Sequence, residues 1–179
     1  MIFKETEIEG VIEVVPTMFE DTRGFFFETY RADKFKEAGI EENFMQANQS
    51  FSTKNVLRGL HFQAAPHGQA KLVRVITGKV LDVAVDMRKN SPTFGRHVKR
   101  VLDSVTSNML FIPGDFAHGF LTLENTILQY NCSNLYNKTS EKGVIWNDAT
   151  INIDWGIENP IISEKDLILP TFEAFAETL

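Results

Sequence analysis

The sequence predicts an all-β protein, a sandwich or barrel of short strands, on three observations. Short β-branched or aromatic runs recur along the 179 residues, turn residues separate them, and only one segment carries a clear helical pattern. The first run covers residues 11–15. The next, at 25–29, follows the turn-like Asp21-Thr22-Arg23-Gly24. Residues 31–38 read as a helix closed by Gly39, a residue free to take the left-handed conformation that ends helices. His61 lies between Leu60 and Phe62 on a strand. Runs at 71–77 and 80–87 flank Thr77-Gly78, a tight hairpin connection, and Asn90-Ser91-Pro92 marks a loop. Strands at 98–102, 109–112, 119–123 and 127–132 complete the series, the last two joined through Glu124-Asn125. A second short helix is expected at 171–178. In the run 80–87, Leu81, Val83 and Val85 alternate with Asp82, Ala84 and Asp86, so one face meets a core and the other meets solvent or a polar cavity.

Composition narrows the functional classes. A chain that is 43% hydrophobic and 23% charged suits one domain over residues 1–179 with a sizeable core. The formal charge of −6 gives no footprint for nucleic acid, so an anionic ligand requires a local basic pocket. The single cysteine, Cys132, excludes an intrachain disulfide and a cysteine-built metal cluster, and fits a reducing compartment, with the cytoplasm as the expectation. No run of about 18 apolar residues and no basic leader is present, so neither a membrane span nor secretion is expected.

The chemistry concentrates in Arg58-Gly59-Leu60-His61-Phe62-Gln63, followed by Gln69 and Lys71. It combines a base near neutral pKa, an anion-gripping guanidinium and a lysine, equipment for moving a proton beside a carbonyl on an anionic substrate. Taken alone, His61 is either such a base or a satisfied core histidine. His118, after the Pro113-Gly114 turn, is either a ligand contact or structural, and His67 and His97 are expected at the surface. Lys71 shares a strand face with Val73 and Val75, and either snorkels from a strand end or reaches a polar cavity. Arg23 and Arg58 each precede glycine, and a pair of arginines can grip a diphosphate; surface arginines are the plain alternative. Tyr130 shares a face with Leu128 and Cys132, as core packing or as a proton donor. Arg58 and His61 lie three positions apart, which in a regular strand puts them on opposite faces, unless Gly59 marks a bulge.

Arg23-Gly24-Phe25-Phe26, Gln46-Ala47-Asn48-Gln49-Ser50, the stretch 57–63, the stretch 78–95, the stretch 111–120, and Trp146-Asn147-Asp148 with Ile153-Asp154-Trp155 together resemble the dTDP-4-dehydrorhamnose 3,5-epimerase family, in order and over nearly the whole chain. The resemblance implies a cupin-like jelly-roll fold, a homodimer, no metal and no organic cofactor, and inversion of carbons 3 and 5 of a dTDP-linked 4-keto-6-deoxyhexose. It makes His61 the base, Asp166 the carboxylate that orients it, Tyr130 the acid on the opposite face and Lys71 the group that stabilises the enolate. It gives Arg23 and Arg58 to the diphosphate, and Glu28, Gln46, Asn48, His118, Glu141 and Lys165 to nucleotide or sugar. Phe19 would stack on the thymine, reaching in from a partner subunit. The alternative within the class is a mono-epimerase acting at carbon 3 or 5 of a related nucleotide-linked sugar. Two other classes fit less well. A metal-dependent cupin needs a second histidine where His61-Phe62-Gln63 has none, and a binding module without catalysis has no use for His61, Tyr130 and Asp166 together.

Overall fold

The computed structural model describes residues 1–178. Its strands are β1 (Ile2–Glu5), β2 (Ile12–Val15), β3 (Phe19–Asp21), β4 (Gly24–Phe26), β5 (Gln46–Ser52), β6 (Leu57–Gln63), β7 (Lys71–Thr77), β8 (Lys79–Asp86), β9 (His97–Asp103), β10 (Met109–Ile112), β11 (Phe116–Thr122), β12 (Thr126–Cys132) and β13 (Glu141–Gly143). The helices are α1 (Ala32–Glu37), α2 (Glu164–Leu167) and α3 (Phe172–Ala176). One sheet runs β1-β2-β10-β7-β12-β5 and the other β13-β6-β11-β8-β9, with β3 and β4 forming a separate hairpin. All pairings between these strands are antiparallel, and the two large sheets face one another as a cupin-like jelly roll.

Three apolar layers follow from strand alternation. Between the sheets lie Val73, Val75 and Leu128 of the first and Val80, Ala84, Leu102, Phe116 and Phe120 of the second. Val14, Leu72, Met109 and Phe111 cover the outer face of the first sheet and pack on Phe35 of α1. Leu60, Phe62, Val83, Val85 and Ala117 cover the outer face of the second, where Ile151, Trp155, Phe172 and Phe175 seal them. The face of β8 bearing Val83 and Val85 therefore meets the C-terminal segment. Its other face carries Asp82 and Asp86 into the interior, and both carboxylates are fully buried.

Most expected elements form close to their predicted limits. The 25–29 run is shorter, ending at Phe26, and its three residues are exposed. Strands β1, β3, β5 and β13 and helix α2 went unpredicted. Sequence Gln46–Ser52 is polar because it forms a sheet edge, alternating between half-buried and exposed positions until Ser52. His67 and His97, expected at the surface, are both half-buried. His67 Nδ1 sits 2.8 Å from Ser140 Oγ. His97 starts β9 beside the backbone of Ile151, and burial lowers its pKa, with Lys99 adding to the effect.

Candidate active site

A cavity of about 860 Å³ opens between the sheets, lined from β5, β6, β7, β11, β12 and the segment leading into α2. Strand β6 supplies two of its residues through an irregularity. His61 pairs with His118 and Arg58 with Phe120, so three steps along β6 match two along β11. The extra residue at Gly59–Leu60 is the predicted bulge, and it lets Arg58 and His61 both line the cavity. Gly59 has φ +124°, and a Cβ there would lie 2.5 Å from Gly119 Cα. No side chain fits that approach.

The dyad comes from two distant segments. Ile161 pairs in parallel with Val56, its carbonyl accepting from the Leu57 amide at 2.9 Å, and this tether delivers α2 to the wall beside β6. Ser163 caps α2 by accepting from the Asp166 amide at 3.3 Å. Asp166, 4% exposed, has one carboxylate oxygen 2.7 Å from His61 Nε2, while the other accepts from the Gly59 amide at 3.3 Å. Burial works to raise the Asp166 pKa, but the His61 hydrogen bond and charge outweigh it and the net displacement is downward. An ionised Asp166 fixes the proton on Nε2 and leaves Nδ1 of His61 with its lone pair. The segment that covers the outer face of this sheet is itself tied together: Asp148 accepts from the amides of Thr150, Ile151 and Phe172 at 2.8–2.9 Å, and the Trp155 indole donates to the Trp146 carbonyl.

Across the cavity the first sheet presents Tyr130, directly opposite Asn48, and Lys71, directly opposite Cys132. Burial raises the Tyr130 pKa, so its phenol keeps its proton throughout the neutral range. Lys71 is 8% exposed, and burial lowers its pKa; Cys132 and then Asp82 act in the opposite sense. Asn48 is held by Gln46 Nε2 at 3.0 Å and reaches Cys132 Sγ at 3.7 Å. Arg58 is braced by Ser52 Oγ at 3.1 Å and the Phe51 carbonyl at 3.4 Å. On the floor, His118 Nε2 lies 2.9 Å from Asp82 Oδ2. At the mouth, Glu141 accepts from Lys165 Nζ at 2.6 Å and from the Tyr136 hydroxyl at 2.9 Å. Burial would raise the Glu141 pKa, but these two partners prevail and it is lowered.

The cavity thus collects His61, Tyr130, Asp166, Lys71, Gln46, Asn48, Arg58, His118, Glu141 and Lys165. Three expected ligands stay outside the cavity of their own chain. Phe19 is 62% exposed on the β3–β4 hairpin, Arg23 is paired with Asp21 there, and Glu28 is held by Lys34 at 3.1 Å and Arg31 at 3.6 Å. Gln63 and Gln69, which flank His61 and Lys71 in the sequence, shape the rim together with Tyr136, which the sequence reading did not single out. Gln63 Nε2 donates to the His67 carbonyl at 2.6 Å and its Oε1 accepts from the Asn137 amide at 2.6 Å. Gln69 donates to the Asn134 carbonyl at 2.7 Å, so the two glutamines fix the loop that bears Tyr136. Among the described residues no group of three or more His, Cys, Asp or Glu side chains is placed to hold a metal ion, and no helix is long and apolar enough to cross a membrane.

Comparison with known proteins identifies the family and agrees with the fold. The sequence model of the dTDP-4-dehydrorhamnose 3,5-epimerase family matches residues 5–174. A dTDP-4-dehydrorhamnose 3,5-epimerase of Shigella flexneri is 47% identical over 165 residues, which is 91% of either chain. Among solved structures, the dTDP-4-dehydrorhamnose 3,5-epimerase from Elizabethkingia anophelis NUHP1 superposes with a TM-score of 0.94 at 43% identity, covering 97% of each chain. The dTDP-6-deoxy-D-glucose-3,5-epimerase of Legionella pneumophila Philadelphia 1, in complex with dTDP-4-keto-L-rhamnose, superposes with a TM-score of 0.92 at 37% identity, covering 98% of this chain and 96% of the other.

Proposed function

The chain belongs to the dTDP-4-dehydrorhamnose 3,5-epimerase family of isomerases, and from that premise we propose that it inverts carbons 3 and 5 of dTDP-4-dehydro-6-deoxy-D-glucose by proton transfer between His61 and Tyr130. The observation that carries the reading is the opposition of the two groups. His61, backed by Asp166 of α2, stands on one sheet and Tyr130 on the other, with Lys71 on the strand beside Tyr130 and lining the same cavity.

Each inverted carbon neighbours the ketone at carbon 4, so removing its proton places negative charge on the ketone oxygen. His61 Nδ1 takes that proton and becomes an imidazolium stabilised by Asp166. The Lys71 ammonium meets the enolate oxygen, a fixed charge where charge develops. Tyr130 then delivers a proton to the opposite face, and the inverted ketone leaves. A single base would return the proton to the face it left, which is why the two-sheet arrangement supports inversion. Arg58 holds the diphosphate, with Gln46, Asn48, His118, Glu141 and Lys165 around nucleotide and sugar. The exposed hairpin bearing Phe19, Phe25 and Phe26 is read as an arm reaching a second copy of this chain, bringing Phe19, Arg23 and Glu28 to that copy's site.

Proton exchange tests the reading. With the 4-keto substrate in heavy water, deuterium is expected at carbons 3 and 5 by NMR, abolished by His61→Asn. Tyr130→Phe is expected to block net inversion while leaving dTDP binding within about threefold of the parent. Label at one carbon alone would make the enzyme a mono-epimerase. Exchange that survives His61→Asn would remove His61 as the base.

A further inference from the structure

The segment between β12 and β13 is placed by side chains. Among the described residues, residues 134–136 make no backbone–backbone hydrogen bond, so no sheet ladder holds them. Three glutamines do so instead, each from a different part of the cavity wall: Gln46 on β5, Gln63 on β6 and Gln69 ahead of β7. Gln69 donates to the Asn134 carbonyl at 2.7 Å and Gln63 to the Leu135 carbonyl at 3.2 Å. Gln46 Oε1 accepts from the Tyr136 amide at 2.9 Å, and Gln63 Oε1 from the Asn137 amide at 2.6 Å. Each of four consecutive residues is thus fixed by a glutamine side chain. Gln63 carries the largest part. Only 4% exposed, it uses the donor and acceptor ends of its amide at once, and its Nε2 also reaches the His67 carbonyl at 2.6 Å.

What this segment presents is the mouth of the site. The Tyr136 ring lines the cavity at 54% exposure, and its hydroxyl donates to Glu141, whose other carboxylate oxygen accepts from Lys165. Lys165 adjoins Asp166, which is bonded to His61. Gln63 lies two residues beyond His61 on β6, and its register partner on β13 is Glu141. The contacts therefore close a circuit around the mouth that begins and ends on the strand of the base. An enclosed amide is tolerated only where its hydrogen bonds are made, and all those of Gln63 go to loop backbone.

We propose that Gln63 is a positioning residue for substrate binding. From the strand of the base, its amide sets residues 134–137 as a fixed wall of the cavity, so that Tyr136 and Glu141 stand in place before the nucleotide sugar arrives. The inference rests on the reading of this cavity as the nucleotide-sugar site. With its amide committed to the loop, Gln63 acts through the rim and not on the reacting atoms. A ligand that meets a preformed wall keeps the free energy that ordering a loose segment would consume. His61 is held separately by Asp166, and Tyr130 by its place in the sheet. Losing the amide must therefore act on affinity and spare the turnover of bound substrate.

The test is Gln63→Met in the full chain, a side chain of similar length without the amide, with kcat and KM for the 4-keto substrate and dTDP affinity by calorimetry. The expected result is KM and the dTDP Kd both raised roughly tenfold to thirtyfold, with kcat within about threefold of the parent. In a Tyr136→Ala background, where the rim has lost the ring that Gln63 positions, the same change should add less than about threefold. Parental KM and dTDP affinity in a variant of lowered Tm would make the glutamine merely structural and overturn the inference. A fall in kcat at unchanged KM, or full additivity with Tyr136→Ala, would overturn it as well. A parent protein that binds no dTDP would overturn the reading of the cavity, and the inference with it. Should Gln63→Met not fold, amide hydrogen exchange in the free parent decides: protected Tyr136 and Asn137 amides support a fixed rim, and amides exchanging at the rate of an open loop overturn it.

Discussion

Asp86 is a fully buried carboxylate whose pKa its hydrogen bonds hold well below the usual range, and replacing it with asparagine tests that stabilisation quantitatively. Its carboxylate is fully buried and receives five hydrogen bonds at 2.6–3.0 Å, from the Arg88 side chain twice, the Arg88 amide, Ser91 and Thr93. Burial alone would raise its pKa; the Arg88, Ser91 and Thr93 bonds outweigh that and lower it from 3.8 to about 2. A displacement of that size is worth about 2.5 kcal/mol of folding stability. The sign follows from the depression: the contribution is complete well above pH 4 and is lost as pH falls through the folded value, with about 1 kcal/mol already gone by pH 3. Asparagine turns an amide toward Arg88, Ser91 and Thr93, all of which donate, so the cost at pH 7 is about 3 kcal/mol, or a Tm lower by roughly 6–12 °C. Urea unfolding of parent and Asp86→Asn at pH 7 and pH 3 measures both terms. The gap between them should narrow by about 1 kcal/mol at pH 3. A gap that is the same at both pH values would refute the assignment of the stabilisation to an ionised Asp86.

Asp166→Asn removes the charge behind His61 Nε2 and permits the wrong tautomer; steady-state kinetics should show kcat lower by roughly a hundredfold or more with dTDP affinity little changed. Because the Asp166 pKa is lowered in the fold, its stabilising contribution is present at neutral pH and disappears as pH drops through the folded value, so the parent should lose stability on acidification more steeply than this variant. Arg58→Ala should weaken dTDP by about 10- to 100-fold in calorimetry and flatten the dependence of affinity on salt. Gly59→Ala would bring a Cβ to 2.5 Å from Gly119 Cα and 2.8 Å from the His118 carbonyl at a φ of +124°, and urea unfolding should show a loss above about 3 kcal/mol.

How much of this was legible in the sequence depended on whether a residue's neighbours were local. The strands at 71–77 and 109–112 were read at their observed limits because both are rich in apolar and β-branched residues, 109–112 being buried at every position and 71–77 at Leu72, Val73 and Val75. Strand β5 was missed because one of its faces lines a polar cavity and the other is exposed, which removes the apolar alternation a strand reading needs. The bulge at Gly59 was legible from a steric conflict between two residues that both had to face the site. Asp82 showed only as an acid interrupting an apolar run. Nothing local could tell that its partner would be His118, 36 residues away, or that the run's outer face would be covered by Trp155 and Phe172. The positions of Arg23 and Glu28 followed a different rule. Each has an opposite charge within six residues, so the short-range pairs Arg23–Asp21 and Glu28–Lys34 form within the chain.

The site depends on one inserted residue more than on any single catalytic group. In sheet two, His61 faces its register partner His118, and in sheet one Lys71 faces Cys132, so the two layers bring an imidazole and a lysine to the same cavity from opposite directions. Strand alternation then permits either Arg58 or His61 to point inward, but not both. With the extra residue at Gly59–Leu60, Arg58 and His61, the proposed anion grip and the proposed base, share one strand and line one cavity. Asp166 binds the Gly59 amide as well as the imidazole, so the carboxylate that orients His61 also holds the irregularity that aims it. Straightening β6 would therefore send Arg58 and His61 to opposite faces and separate the proposed phosphate grip from the proposed base even with every side chain present, because a one-residue slip sends a strand's side chains to the other face.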